Sequence, residues 1–251
     1  MSRWAATALF CFAIIGCTSV QPVVDSPAEP HQTIHYYPFY DITENLASDS
    51  LISAHLDRYR DGYNDVMGVS IARVEENLKL GQPESSFGNL LSDVIRFRAA
   101  RELRTYVHIG LINNDSIKLN LNKGPLTLGD LYEMMPYDNH LVILTLTGEQ
   151  VVTLANRIAQ LGGEPVSGIR MRIANNRAMG LLVNSETVRS DSLYYVATSN
   201  YLARGGGGLF PILTEAKDRL DMSDLLIRDI YREYFYNLRE LNPQMDQRIR
   251  L

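Results

Sequence analysis

Cysteine is almost absent from this chain of 251 residues, and its two cysteines, Cys11 and Cys17, both lie near the N-terminus. The rest of the chain therefore cannot form a disulfide framework, a thiolate zinc site or a cysteine nucleophile. Long runs of one charge are also absent: 24 Lys and Arg stand against 29 Asp and Glu, giving a net charge of −5. This balance argues against a general nucleic-acid surface, although single arginines can still contact a phosphate.

Long apolar runs are rare as well, and the one that stands out, residues 5–15, follows Arg3. A transmembrane helix needs about 20 apolar residues, so this run fits the core of a secretion signal instead. It ends in Ile14-Ile15-Gly16-Cys17, which resembles the cleavage box of bacterial lipoproteins. The resemblance implies cleavage before Cys17, lipidation of that cysteine, and export to the periplasmic or cell-surface side of a bacterial membrane. An ordinary signal peptide and a buried N-terminal helix are the alternatives.

Three regions are predicted along the chain. Residues 1–16 form the signal peptide, and residues 17–31 form the lipidated cysteine and a flexible tether. The tether is polar, contains three prolines and has no hydrophobic period, as is typical of an extended linker. Residues 32–251 form the folded domain.

Helical and strand-like patterns are mixed within that domain. Helices are predicted over 51–63, from Ser85 or Ser86 to Arg104, from Thr127 to Met134, after the Thr147–Gln150 capping box, and over 223–238. Strands are predicted over 66–74, 106–112, 140–146, 167–173, 179–183 and 193–198, with a polar turn at 113–116 and a glycine-rich loop at 200–208. Residues 140–146 are apolar on both faces and indicate a buried strand. Because the elements do not alternate strictly, the pattern predicts an α+β fold, a layered mixed α/β domain.

Four segments carry a family resemblance by their order and spacing. They read FGNLLSD at 87–93, NNDSIK at 113–118, LTLGDLYEMMPYDN at 126–139 and VATSNYLARGGGG at 196–208. Shorter matches, LTGEQ at 146–150 and VSG at 166–168, lie between them. Together they resemble the C-terminal domain of the 5′-nucleotidase family, which includes UDP-sugar hydrolases, over about residues 67–210.

The resemblance implies a nucleotide- or nucleoside-binding site. Tyr137 and Tyr201 stand where the family places two aromatic rings that enclose the base; the alternative is that both are core or rim residues. Asn113 stands at the family's sugar-binding position. Lys118 stands where the family has a phosphate-contacting arginine, and a solvated lysine is the alternative reading. Gly205 and Gly206 begin a flexible run beside Tyr201; a surface turn is the other reading.

Several positions depart from the family pattern. Asn114-Asp115-Ser116 replaces three glycines, and the carboxylate of Asp115 is expected to repel phosphate. Gly207 replaces the aspartate that contacts ribose hydroxyls in the family. Arg101 matches a further family arginine only loosely, and a solvated helix charge is the favoured reading.

Catalytic signatures are missing. Hydrolytic family members carry an upstream metallophosphatase domain that holds two metal ions with D-x-H, G-D and G-N-H-E motifs. Here residues 138–140 fit D-x-H, but no histidine follows them. There is no G-x-S-x-G elbow and no P-loop. We therefore expect no catalytic residue, metal or cofactor on this chain.

Three hypotheses about function follow. The first is the recognition half of a split nucleotidase, with two divalent metal ions on a separate metallophosphatase subunit. The second is a non-catalytic lipoprotein that binds nucleosides or nucleotides. The third is an interaction module whose pocket has decayed. In each case the expected partners are a small ligand, the second subunit or the membrane, and not nucleic acid.

Overall fold

The computed structural model describes Thr43, residues 47–206 and residues 211–251. The predicted signal peptide, Cys17, the tether and Gly207 lie outside these residues. Asp49–Leu251 forms one unit that contains all the described helices and strands.

The described residues contain twelve strands and seven helices. The strands are β1 (Ser70–Val74), β2 (Ile109–Leu111), β3 (Gly124–Thr127), β4 (His140–Thr147), β5 (Val166–Ser167), β6 (Ile169–Ala174), β7 (Arg177–Val183), β8 (Glu186–Thr187), β9 (Leu193–Ser199), β10 (Asp218–Leu226), β11 (Glu240–Leu241) and β12 (Ile249–Arg250). The helices are α1 (Ser50–Met67), α2 (Ser86–Leu103), α3 (Leu128–Met134), α4 (Gly148–Gln160), α5 (Asn200–Ala203), α6 (Pro211–Thr214) and α7 (Ile227–Leu238). A 3-10 turn, Asn114–Ser116, follows β2.

A five-stranded sheet, in the order β10-β4-β9-β2-β5, runs through the middle of the fold. β4 pairs antiparallel with β9 and β10, and β9 pairs parallel with β2. Six of the eight residues of β4 are buried, which confirms the predicted buried strand. Its alternating side chains divide between two cores, since Leu141 and Ile143 join one and Val142 and Leu144 join the other.

Helices cover both faces of this sheet. One core holds apolar residues of α2 and α7, and the other holds those of α4. Burying each large side chain stabilises the fold by roughly 1.5–3 kcal/mol. This arrangement confirms the predicted layered α+β architecture. The fully buried helical side chains include Phe87, Leu91, Ile95, Leu154, Ile158, Tyr231 and Phe235.

Two smaller sheets complete the fold, one in the order β11-β1-β3 and one in the order β12-β6-β7-β8. β6 and β7 pair antiparallel, as predicted. Two predicted helix starts are also confirmed: Thr147 and Gln150 form a capping box for α4, and Thr127 caps α3 together with Asp130.

The predicted boundaries were wrong in four places. The helix predicted over 223–238 begins only at Ile227, because the preceding residues belong to the end of β10, where Leu226 pairs with His140 of β4. The strand predicted over 66–74 begins at Ser70, since α1 continues to Met67 and ends at Gly68. Of 106–112, only Ile109–Leu111 forms ladder pairs. The loop predicted over 200–208 begins as the short helix α5.

Two family segments hold the fold together on the side of α2. Asp93, from the first segment, accepts hydrogen bonds from Ser167, from the VSG segment, and from Arg248. The Arg248 side chain also donates to the carbonyl of Val166 at 3.0 Å and pairs with Asp246 at 2.8 Å. We call Asp93, Ser167 and Arg248 the Asp93 clasp. It joins α2, β5 and the C-terminal segment.

α1 lies outside both cores, since none of its residues is buried. Its large apolar side chains are more than half exposed, namely those of Leu51, Ile52, Leu56, Tyr59, Tyr63 and Val66. Among the described residues, neither α1 nor any other helix has the length and apolar character needed to cross a membrane.

Candidate functional site

Three strand ends bring the predicted site residues to one edge of the central sheet. Because β4 is antiparallel to β9, the start of β4 lies beside the end of β9, where Leu141 pairs with Ser199. β2 runs parallel to β9, so its end points to the same edge. Tyr137 precedes β4, Tyr201 follows β9 and Asn113 follows β2. The topology therefore gathers residues that are far apart in the sequence.

These residues surround one pocket of about 290 Å³. Four of the six predicted ligand-binding residues line it, together with residues of the 3-10 turn and Asn139. Gly205 and Gly206 do not line it, although Gly206 packs against Tyr201. The lining residues are Asn113, Asp115, Ser116, Lys118, Tyr137, Asn139 and Tyr201.

The two tyrosine rings stand at the pocket wall and not in the core. The exposed fraction is 49% for Tyr137 and 44% for Tyr201. The ammonium nitrogen of Lys118 lies 5.7 Å from the centre of the Tyr137 ring, within the range of a cation–π contact. An exposed aromatic face beside a cation can stack on a planar ligand that carries negative charge.

Glycine is required behind Tyr201. Gly205 has a φ of +79°, in the left-handed region where a side chain is strained. A Cβ at Gly206 would lie 2.6 Å from two ring atoms of Tyr201 and 2.5 Å from its carbonyl oxygen. Any side chain at Gly206 would therefore displace the ring.

Asn113 brings a buried acceptor to the pocket. Its exposed fraction is 2%, and its side-chain oxygen Oδ1 has no hydrogen-bond partner among the described residues. The Ser116 hydroxyl donates to the Asn113 backbone carbonyl at 2.8 Å, which fixes the backbone there. A buried acceptor without a donor is costly, so a ligand hydroxyl or amine that donates to Oδ1 would be favoured.

The turn that replaces the family glycines is anchored from behind. Glu164 accepts a hydrogen bond from the backbone N–H of Asn114 at 2.7 Å, and the Asn114 side chain donates to the Gly163 carbonyl at 3.3 Å. Burial raises the pKa of Glu164 to about 7; the Asn114 hydrogen bond opposes this shift, and the charge of Asp115 adds to it. Glu164 and Gly163 therefore hold the first residue of the turn in place.

Two arginine side chains hold the segments that carry the two rings. Arg228 pairs with Asp138 at 2.6 Å and donates to the Met135 carbonyl at 3.1 Å, so it ties α7 to the segment that carries Tyr137. On the other side, Arg219 donates to the Ala203 carbonyl at 3.2 Å at the end of α5, which carries Tyr201.

The described residues do not fit a two-metal centre. No group of three or more His, Cys, Asp or Glu side chains within this part of the chain converges on one point. His140, the histidine of the D-x-H match, lies 3.0 Å from Asp221. The carboxylate of Asp221 is also held by Arg219, whose hydrogen bonds, with that of His140, keep its pKa well below the ordinary range. The side chains of His140 and Arg219 therefore both bond to the carboxylate of Asp221.

Arg101 lies away from the pocket. It is exposed on α2, and its guanidinium is 3.4 Å from Glu233 of α7. The larger groove beside α7, of about 570 Å³, is lined by none of the predicted site residues. Its volume alone therefore does not make it the candidate site.

Sequence reasoning did not single out Asn139, Ser116 or Glu164 as individual residues of the site. Asn139 ends the segment that contains Tyr137, so its motif position was the available signal. Glu164 has no such signal, because it reaches the pocket only through a contact with Asn114, 50 residues earlier.

The family described as "5′-nucleotidase, C-terminal domain" matches residues 66–215. The trifunctional nucleotide phosphoesterase protein YfkN of Bacillus subtilis is 26% identical over 232 residues, which cover 83% of this chain and 16% of that protein. The 5′-nucleotidase of Vibrio vulnificus is 24% identical over 182 residues, which cover 69% of this chain and 32% of that protein.

A solved structure supports the same relationship. The 5′-nucleotidase precursor of Thermus thermophilus superposes with a TM-score of 0.70 and 26% identity, over 80% of this chain and 43% of that one. The chain thus spans less than half the length of each of these three relatives.

Proposed function

Because the chain belongs to the 5′-nucleotidase C-terminal domain family, we propose that it is the nucleotide- or nucleoside-recognition domain of a phosphohydrolase whose metal-dependent half is a separate metallophosphatase subunit. The observation that carries the proposal is the gathering of Tyr137, Tyr201, Asn113 and Lys118 around one pocket.

Each group has a defined task in this proposal. The rings of Tyr137 and Tyr201 hold the base by stacking. The free Oδ1 of Asn113 accepts a hydrogen bond from a sugar hydroxyl, and Lys118 attracts the phosphate. By binding and orienting the nucleotide, these residues raise its effective concentration at the partner's active site. Two divalent metal ions on the partner would activate water and polarise the phosphoryl group.

A second candidate function is non-catalytic binding of nucleosides at the cell surface. Asp115 favours it, because its carboxylate lines the pocket and repels a phosphate that Lys118 attracts. A neutral nucleoside avoids that repulsion. The two candidates share the base and sugar contacts and differ in the need for a partner.

The purified protein should bind adenosine or AMP and release no phosphate. Binding to the folded state should raise the melting temperature, with a gain of about 2.7 kcal/mol at a ligand concentration 100 times the Kd. Incubation with AMP and Mn²⁺ or Zn²⁺ should yield no phosphate above background, because the described residues hold no metal-binding cluster. Calorimetric titration and a phosphate assay measure the two properties.

Two outcomes would contradict the proposal. Metal-dependent turnover that survives stringent purification would make this chain catalytic. No heat with any nucleoside or nucleotide at millimolar concentration would reject the isolated pocket. Adding a metallophosphatase encoded next to this chain separates the candidates, since only the split enzyme gains phosphate release from the pair.

We also propose that the chain is exported and anchored by a lipid on Cys17. The support is the Ile14-Ile15-Gly16-Cys17 box after an apolar run, and the Thermus relative is likewise described as a precursor. Lipid chains contribute about 0.8 kcal/mol per buried CH₂, so several chains anchor a protein firmly.

Replacing Cys17 with alanine should move the protein from the membrane fraction to the soluble fraction. The physical reason is the loss of the acylated thiol, which provides the membrane affinity. Fractionation with detection of labelled fatty acid measures the change, and Cys11→Ala is the matched control. Membrane retention of the Cys17 variant would refute the lipid anchor.

A further inference from the structure

The segment after α4 is hydrogen-bonded to the 3-10 turn at the pocket. Gly163 and Glu164 each contact Asn114: the Gly163 carbonyl accepts from its side chain, and the Glu164 carboxyl accepts from its backbone N–H. Glu164 is 8% exposed, so water does not readily replace the carboxyl group as the acceptor. These two contacts hold the start of the turn in place.

The 114–116 turn forms part of the pocket wall. Asp115 and Ser116 both line it, and the Ser116 hydroxyl donates to the Asn113 carbonyl. A shift at Asn114 would therefore reach the unpaired Oδ1 of Asn113. Glu164 itself does not line the pocket.

We propose that Glu164 is a positioning residue of this pocket: its carboxyl group anchors the 114–116 turn, and its ionisation weakens the binding of anionic ligands. The inference rests on the proposed function, since it concerns the same ligand site. It adds that the ionisation of Glu164 affects the preference of the pocket for neutral over anionic ligands.

One charged residue of the pocket lining, Asp115, influences the ionisation of Glu164. Asp115, on the turn, is the charged neighbour that acts on its pKa, while Glu84, before α2, and Arg248, in the C-terminal segment, border the same small gap as Glu164. Arg248 is already paired with Asp93, its partner in the clasp, and with Asp246. Burial, strengthened by Asp115, raises the pKa of Glu164 to about 7, so its charge changes near neutral pH.

The direction of the effect follows from the charges. Above pH 7 the ionised Glu164 and Asp115 both oppose an anion in the pocket. Below pH 7 Glu164 is neutral, yet its carbonyl oxygen still accepts from Asn114, so the turn keeps its anchor. Anion binding should therefore tighten by about twofold from pH 8 to pH 6, the order of magnitude expected when one charge about 10 Å away is removed at the dielectric constant of water. A neutral nucleoside should show little change.

The same ionisation affects folding in a defined direction. The pKa of Glu164 lies above its ordinary value of 4.5. Its stabilising effect is therefore complete below pH 4.5 and is lost as the pH rises through about 7. Glu164→Gln, which cannot ionise, should melt at a higher temperature than wild type at pH 8 and near the same temperature at pH 5.

The test titrates wild type, Glu164→Gln and Glu164→Ala with 3′,5′-cyclic AMP and with adenosine at pH 6 and pH 8. The charge of the cyclic nucleotide is constant across this range, so any change with pH comes from the protein. The glutamine variant keeps the acceptor and should bind cyclic AMP at both pH values as wild type does at pH 6. The alanine variant loses the anchor and should bind both ligands about tenfold more weakly.

Glu149→Gln, at an exposed position on α4, is the matched control and should follow wild type. An alanine variant that binds adenosine as well as wild type would overturn the positioning role of Glu164. A glutamine variant with the wild-type pH profile would overturn the electrostatic role. If wild type binds neither ligand at either pH, the proposed function fails together with this inference. Binding by wild type with unaltered variants rejects the inference alone.

Discussion

Replacing Arg248 with alanine should cost about 1.5–3 kcal/mol of the free energy of unfolding, because it removes the charged hydrogen-bond partner of the partly buried Asp93 carboxylate. The side chain of Arg248 is mostly buried and bonds both carboxylate oxygens of Asp93, at 3.0 and 2.6 Å. It also satisfies the Val166 carbonyl. The loss would release the C-terminal segment from α2 and β5. Urea unfolding followed by circular dichroism measures the change.

A double-mutant cycle with Asp93→Ala assigns the loss to the clasp. The double variant should be less destabilised than the sum of the two single variants, because each single change already breaks the same pair. Arg250→Ala is the matched control: it removes an exposed arginine two residues away and should change stability by less than about 0.5 kcal/mol. Additive losses would show that Arg248 and Asp93 act independently.

Replacing Tyr201 or Tyr137 with alanine should weaken nucleoside binding by about 1–3 kcal/mol each, or roughly 5- to 150-fold in Kd. Each ring presents an exposed face to the pocket, so its removal takes away a stacking surface without opening a core cavity. The unliganded variants should therefore unfold close to the wild-type temperature. Calorimetric titration with adenosine and thermal unfolding measure the two properties.

The matching phenylalanine variants keep the rings and should keep most of the affinity. Tyr236→Ala, which removes an exposed ring outside this pocket, should leave adenosine binding unchanged. A loss of several kcal/mol in folding stability, with or without ligand, would place the tyrosines in the core instead. Unchanged affinity in both alanine variants would remove the rings from the binding site.

Local patterns predicted the parts of the fold that depend on nearby residues. The capping box at Thr147 and the buried strand β4 follow from a few neighbouring side chains. The end of β10 was mistaken for helix, since its pairing with β4 involves residues about eighty positions earlier. Tertiary pairing decides such segments against their local pattern.

The same contrast between local patterns and long-range contacts applies to the candidate site. The pocket residues Tyr137, Tyr201, Asn113 and Lys118 came from motif positions, and the sheet topology brings them together. The groups that support the pocket could not be predicted, because each acts across a large sequence separation. Glu164 meets Asn114 across 50 residues, and Arg228 meets Asp138 across 90.

The Asp93 clasp and the pocket share no residue, although family segments supply parts of both. Substitutions in the 114–116 turn can therefore accumulate while the first segment and VSG continue to hold α2, β5 and the C-terminal segment. During divergence, folding constrains the residues of the clasp, whereas the ligand constrains the residues of the pocket. Similarity that rests on the clasp thus reports a shared fold, whereas the choice of ligand depends on the residues of the pocket and on the contacts that hold the 114–116 turn.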